Sequence, residues 1–133
     1  MKYPQLLIYE SDGAIAELLG KLASDQGWLI RQCRSAESIF ELLKESRISV
    51  VFLKFERDLL SGLELLSQIT SQYPDCPVVV VSDVKADSQQ RENLACLVFD
   101  LGAKYIVFPP LTQPVAEDLA NGCMISSLRM AGL

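Results

Sequence analysis

The chain has 133 residues, of which half are apolar and 22% charged, and this balance suits one packed domain rather than a disordered tail or a coiled coil. Twelve Lys and Arg against 17 Asp and Glu leave a net charge of -5. That disfavours phosphate backbones and anionic membranes, whose binders need basic residues. With no histidine anywhere, Ser-His-Asp and Cys-His catalysis, Cys/His zinc sites and phosphotransfer through histidine all fall away.

In chain order, short apolar runs alternate with segments of helical period. Gln5–Tyr9 reads as the first strand; Ile15, Leu18, Leu19 and Leu22 then repeat at i, i+3, i+4 and i+7, as on one face of a helix. Gly27 marks that helix's end, and Trp28–Cys33 reads as the second strand, with Trp28 a packing residue. Ala36, Ile39, Phe40 and Leu43 give a second helix, and Ile48–Phe55 a third strand. Ser61 and Glu64 read as a capping box opening the third helix, which carries Leu65, Leu66, Ile69 and Tyr73. Pro74 and Pro77 bracket the turn into a fourth strand, Val78–Ser82. Leu94, Leu97, Val98 and Leu101 mark a fourth helix that stops at Gly102. Tyr105–Phe108 is the fifth strand, and a fifth helix begins at Thr112 with Pro114 in its opening turn. Gly122 lies inside this last helix and weakens it by about 1 kcal/mol relative to Ala, so an early end is expected there.

Apolar runs of four to eight residues rich in Val and Ile suit strands buried on both faces. Five of them alternating with five helices imply one α/β domain over 1–133, a flavodoxin-like doubly wound (βα)5 three-layer sandwich. Its parallel five-stranded sheet takes the order 2-1-3-4-5. Ligands and chemistry in such a sheet sit beyond the carboxyl ends of strands 1 and 3, where the strand order reverses. The positions to read are therefore Glu10, Ser11 and Asp12, the stretch from Lys54 to Ser61, and Ser82 with Asp83.

At these positions the chain resembles the receiver domain of CheY-like response regulators, from about Gln5 to Leu128. Leu7-Ile8-Tyr9-Glu10-Ser11-Asp12-Gly13-Ala14-Ile15 is similar to the family's first strand and acidic turn, and Gly62-Leu63-Glu64-Leu65-Leu66 to the start of its third helix. Val78-Val79-Val80-Val81-Ser82 resembles the fourth strand with its terminal hydroxyl residue. Gly102 through Pro110 resembles the fifth strand and the Lys-Pro pair after it.

The resemblance implies a phosphoryl-accepting aspartate, a pair of acids holding Mg²⁺, and a hydroxyl and a lysine for the phosphoryl oxygens. Mapped by spacing, the nucleophile position holds Lys54, the acidic pair is Glu10 and Ser11, and the lysine position is Pro109, followed by Pro110. Only Glu10, Ser82 and Pro110 keep the expected character. Lysine cannot form the acyl phosphate, and its ammonium repels Mg²⁺, which wants hard oxygen ligands. The resemblance thus implies a degenerate pseudo-receiver that binds proteins in bacterial two-component signalling without phosphorylation. It is not an enzyme and calls for no cofactor or metal. Two alternatives stay open: a receiver phosphorylated at a shifted acid, and a flavodoxin-like flavin or nucleotide binder. Against the latter, Glu10 and Asp12 stand where a phosphate loop would be, and no G-x-G-x-x-G or P-loop pattern occurs.

Several residues carry two readings. Ser82 either ends a strand by bonding backbone or keeps a site role, Asp12 either caps the first helix or served a metal, and Glu56 and Asp58 solvate a loop. Lys54 is expected to pair with Glu10, with Asp12 and Ser82 sharing the contact. Between Ser82 and Pro109 the chain is about five residues longer than the family pattern, around Val84–Gln90. Protein partners, including a second copy, are expected on helix 4, strand 5 and helix 5 through Tyr105, Ile106, Leu111 and Met124. Ile106 stands where the family carries a switching aromatic, with Tyr105 on the opposite face of the strand. No nucleic acid or membrane partner is expected. The four scattered cysteines read as small core residues, and without a signal peptide or an 18-residue apolar span the domain is expected in the cytoplasm.

Overall fold

The computed structural model describes residues 2–56 and 58–133. Strands and helices alternate without exception. They are β1 (Gln5–Tyr9), α1 (Ala14–Gln26), β2 (Leu29–Cys33), α2 (Ala36–Leu43), β3 (Ser49–Phe55), α3 (Leu59–Gln72), β4 (Val78–Ser82), α4 (Ser88–Asp100), β5 (Tyr105–Val107) and α5 (Gln113–Met130). The strands form one sheet in the order β2-β1-β3-β4-β5, and every neighbouring pair is parallel. This is the doubly wound arrangement that the alternation implies.

Side chains alternate across the sheet and so build two cores. Leu6, Ile8, Val50, Phe52, Val79 and Val81 face α1 and α5, where Leu19, Ala120 and Met124 meet them. Leu7, Val51, Leu53, Phe55, Val78 and Val80 face the other way, onto Ile39, Leu66, Ile69 and Val98 of α2, α3 and α4. The central strands β1, β3 and β4 are buried on both faces; the edge strands β2 and β5 are not, since each lacks a neighbour on one side.

Local details depart from the sequence reading where packing intervenes. Trp28 precedes β2 and packs against the α1/α5 core. α3 begins at Leu59, ahead of the expected box at Ser61, because Asp58 caps it: its carboxylate accepts from Ser61 N at 3.2 Å and from Ser61 Oγ at 2.6 Å. Gly62 then serves contact rather than capping, since a Cβ there would stand 2.7 Å from Phe55 Cδ1. A capping box does exist at α4, where Asp87 accepts from Gln90 N at 2.8 Å and Gln90 Oε1 accepts from Asp87 N at 3.0 Å. α5 does not end at Gly122 but runs on to Met130, because Cys123 and Met124 are buried against the sheet just beyond it. That burial outweighs a deficit of about 1 kcal/mol. After Ser82 the chain runs through the loop Asp83–Asp87 before α4 begins at Ser88.

Candidate functional site at the carboxyl edge of the sheet

β1, β3 and β4 end side by side, and their last residues fill the switch point. Lys54, in register with Val81, follows Val50 and Phe52 on the α1 side of the sheet. Its side chain is only 7% exposed, and its Nζ donates to Asp12 Oδ1 at 3.1 Å and Oδ2 at 3.0 Å. A charge this deep requires an opposite charge or a full set of hydrogen bonds. Asp12 supplies the opposite charge and accepts two hydrogen bonds.

The expected partner, Glu10, is occupied elsewhere. It is buried, and its two carboxylate oxygens accept from Ile15 N at 2.8 Å and Ala16 N at 3.0 Å. The free N–H groups in the first turn of α1, at the positive end of the helix dipole, outcompete an ammonium across the sheet for this carboxylate. Asp12 does not cap α1 as expected either. Gly13, in the left-handed region at φ 76°, is the cap residue, and Asp12 accepts from Ala14 N at 3.2 Å while its oxygens reach Lys54. The Lys54–Glu10 pair is therefore replaced by Lys54–Asp12.

The charge states follow from these contacts. Burial works against the Lys54 ammonium, but its hydrogen bond to Asp12 and the nearby charges of Asp12, Asp83 and Glu56 outweigh it, so its pKa lies above the ordinary lysine value. The Ala14 amide and then the Lys54 ammonium hold the Asp12 carboxyl below the ordinary aspartate value. Lys54 is fully charged at neutral pH. It is no nucleophile.

Ser11 Oγ donates to Glu56 Oε2 at 2.5 Å, a second tie between the loops after β1 and β3. Neither Glu56 nor Asp58 merely solvates its loop, since the first holds Ser11 and the second caps α3. Ser82 is buried, and its hydroxyl accepts from Val84 N at 3.3 Å, the strand-ending role. Pro109 and Leu111, with Lys54, Ser82 and Ile15, line a cleft of about 150 Å³, and the Pro109–Pro110 bond is cis. Among the described residues, no three His, Cys, Asp or Glu side chains are placed to hold a metal ion. Glu10, Asp12 and Glu56 are engaged with amides, a hydroxyl and an ammonium, and Asp83 stands exposed beside them.

On the expected interaction face, Tyr105 is 48% exposed, while Ile106 is half-buried against the α2/α3/α4 core and Leu111 against the α1/α5 core. Met124 does not belong to that face: it is wholly buried under α5, because its position on the helix points at the sheet. α4 exposes Leu97 and Phe99, 42% and 48%, on opposite sides of its buried Val98. Arg91 of α4 lies over the Phe108 ring, 5.1 Å from its centroid, joining α4 to the segment after β5. The cysteines are not uniformly core residues, since Cys33 and Cys123 are buried, Cys76 half-buried and Cys96 exposed. Sequence reading also missed a charge network at the opposite edge, where Glu45 accepts from Arg31 at 2.8 Å and Arg47 at 2.9 Å. Glu45 and Arg47 share the connection between α2 and β3, but Arg31 comes from β2, so the three-membered network appears only when the strands pair.

The architecture and the placement of polar residues at the ends of β1, β3 and β4 define a receiver-type signalling domain. The family model for the response regulator receiver domain matches residues 6–116. The chain belongs to that family, the receiver domains of two-component response regulators. It is 30% identical over 79 residues, 58% of the chain, to the nitrogen assimilation regulatory protein NtrX of Azorhizobium caulinodans, and it spans only 17% of that relative's length. The receiver domain of NtrX from Brucella abortus superposes with a TM-score of 0.69 at 24% identity, covering 90% of this chain and 97% of that one. A CheY-like receiver protein from Methanospirillum hungatei JF-1 gives 0.74 at 14% identity, covering 97% and 99%. At these identities the structural likenesses speak to the fold. No helix among the described residues is long and apolar enough to cross a membrane.

Proposed function

We propose that this domain is a pseudo-receiver, a signalling module of the cytoplasm that acts by binding proteins and not by accepting a phosphoryl group. The observation that carries this reading is the buried Lys54 ammonium, bonded by both oxygens of Asp12, at the position where the family resemblance puts the phospho-accepting aspartate. An ammonium has no lone pair to attack phosphorus, and its charge occupies the place of a divalent cation. Glu10, the remaining acid of the metal pair, is committed to the first turn of α1. Lys54–Asp12 and Ser11–Glu56 together brace the two loops that a phosphoryl group would otherwise reorganise. The pocket residues Glu10, Ser11, Asp12, Lys54, Ser82, Pro109 and Pro110 thus form one fixed arrangement.

The output surface in this reading is the α4–β5–α5 flank, which offers a protein partner or a second copy exposed apolar area from Tyr105 on β5 and from Leu97 and Phe99 on the two sides of α4. The net charge of -5 favours a protein over nucleic acid or a membrane. Incubating the protein with acetyl phosphate and Mg²⁺, followed by intact-mass measurement, tests the proposal. No mass gain is expected, and beryllofluoride leaves the spectra of the folded protein unchanged. A stoichiometric phosphoryl adduct on any aspartate or glutamate overturns it.

A further inference from the structure

Far from the carboxyl edge, a cleft of about 170 Å³ lies between the start of β4 and the second half of α5. Cys76, just before β4, and Cys123, on α5, both line it, with Met130 at the exposed end of the same helix and Lys104 beside them. Three of the chain's seven sulfur side chains thus share one small cleft. We propose that the Cys76–Cys123 pair binds a soft, thiophilic monovalent cation, Cu(I), between its two sulfurs.

Donor chemistry selects the ion. Zinc and harder cations need three or four N, O or S donors, and no such group of His, Cys, Asp or Glu occurs among the described residues. Cu(I) prefers thiolate and thioether ligands and accepts a low coordination number. The lining supplies those soft donors in Cys76, Cys123 and Met130; its oxygen donors, Asp75, Tyr105, Ser126 and Ser127, are hard ligands that Cu(I) does not favour. Binding converts Cu⁺ and two thiols into a bis-thiolate complex of net charge −1 and releases two protons to solvent. Lys104, whose ammonium acts on Cys123, offsets the negative charge that forms.

Oxidative chemistry at the pair is the weaker alternative. Burial pushes the Cys76 thiol up to about 12, with a further push from Cys123, and raises Cys123 as well, so neither offers the free thiolate that attacks peroxides or disulfides. A metal that displaces the protons is not limited in this way. Cys76 also donates its S–H to the Ser49 carbonyl at 3.3 Å, which holds the sulfur at the root of β3. Loading gives up that S–H bond along with the proton, and the metal instead ties α5 to the segment that opens β4.

Titrating the reduced protein anaerobically with Cu(I) buffered by bicinchoninate tests the site. One equivalent is expected to leave the chelator, equally in the wild type and in Cys96→Ala, and none in the double variant Cys76→Ser, Cys123→Ser, with circular dichroism checking its fold. If the double variant fails to fold, X-ray absorption of the copper-loaded wild type decides. Sulfur-only coordination of a single copper supports the site; nitrogen or oxygen ligands, or a copper cluster, overturn it. Absence of withdrawal by the wild type, or its loss in Cys96→Ala, also overturns it.

Discussion

The carboxyl edge of β1 and β3 and the α4–β5 flank are built on opposite plans. At the edge, Glu10, Ser11, Asp12, Lys54 and Glu56 each have a partner on another segment or on a helix terminus. On the flank, α4 buries only Val98, whereas α1 buries four residues, and β5 is three residues long. A site in which five polar side chains are tied to one another or to helix amides resists rearrangement. A helix held by one buried side chain, a capping box and a cation–π contact has little to lose by adapting to a partner. If the domain acts as the proposed pseudo-receiver, responsiveness belongs on the loosely held side.

The largest test of this contrast is in the core under the edge. Phe52→Ala removes a fully buried ring beside the α1/α5 core and is expected to cost about 3–5 kcal/mol in urea unfolding. Phe99→Ala on the flank should stay within about 0.5 kcal/mol. Comparable losses at the two positions would erase the distinction.

Next in size is the ion pair. Asp12→Asn strands the Lys54 ammonium, and because Asp12 is itself 55% exposed the cost is discounted to about 1–2 kcal/mol from the larger values of fully buried pairs. A double-mutant cycle of Lys54→Met with Asp12→Asn should show coupling of about 1 kcal/mol, while Lys54→Met with Glu10→Gln adds within about 0.3 kcal/mol. Coupling to Glu10 in place of Asp12 would reverse the assignment of partners.

The pair also has a pH signature. The Asp12 pKa is lowered in the folded state, so its contribution is present above the unfolded aspartate value near 3.8 and fades as pH falls through the folded one. Lys54's is raised, so its contribution is full below 10.5 and fades as pH climbs through the folded value. The stability difference between wild type and Lys54→Met is therefore flat across the neutral range and changes at both extremes. A step near neutrality in denaturation midpoints would contradict this.

The smallest effect on stability and the largest on function is expected on the flank. Leu97→Ser and Tyr105→Ser should leave the unfolding midpoint nearly unchanged and weaken association, read as self-association by sedimentation or as capture of a signalling partner. Loss of association on substituting Lys21 or Glu17, exposed on α1, with the flank variants unaffected, would move the interface to the other side of the molecule.

Period and punctuation determined the order of elements by themselves. Apolar runs such as Val78–Val81 can be satisfied only in a doubly covered sheet, and the alternation leaves one economical way to wind it. The sequence also located the switch point and showed that a lysine stands there, because both depend on spacing along the chain. Which carboxylate meets that lysine was decided in three dimensions. Glu10 and Asp12 are two residues apart, and only the folded first turn of α1, with its free N–H groups, commits one and leaves the other. The local cap at Asp58 sets the start of α3 at Leu59, while tertiary packing brings Gly62 against Phe55 and carries α5 past Gly122. The cleft shared by Cys76 and Cys123 exists only once α5 lies on the sheet, 47 residues beyond the first of them in sequence. Local propensities are worth tenths of a kcal/mol to about 1 kcal/mol per residue. Burial of a large side chain is worth about 1.5–3 kcal/mol, and where the two disagree, packing prevails.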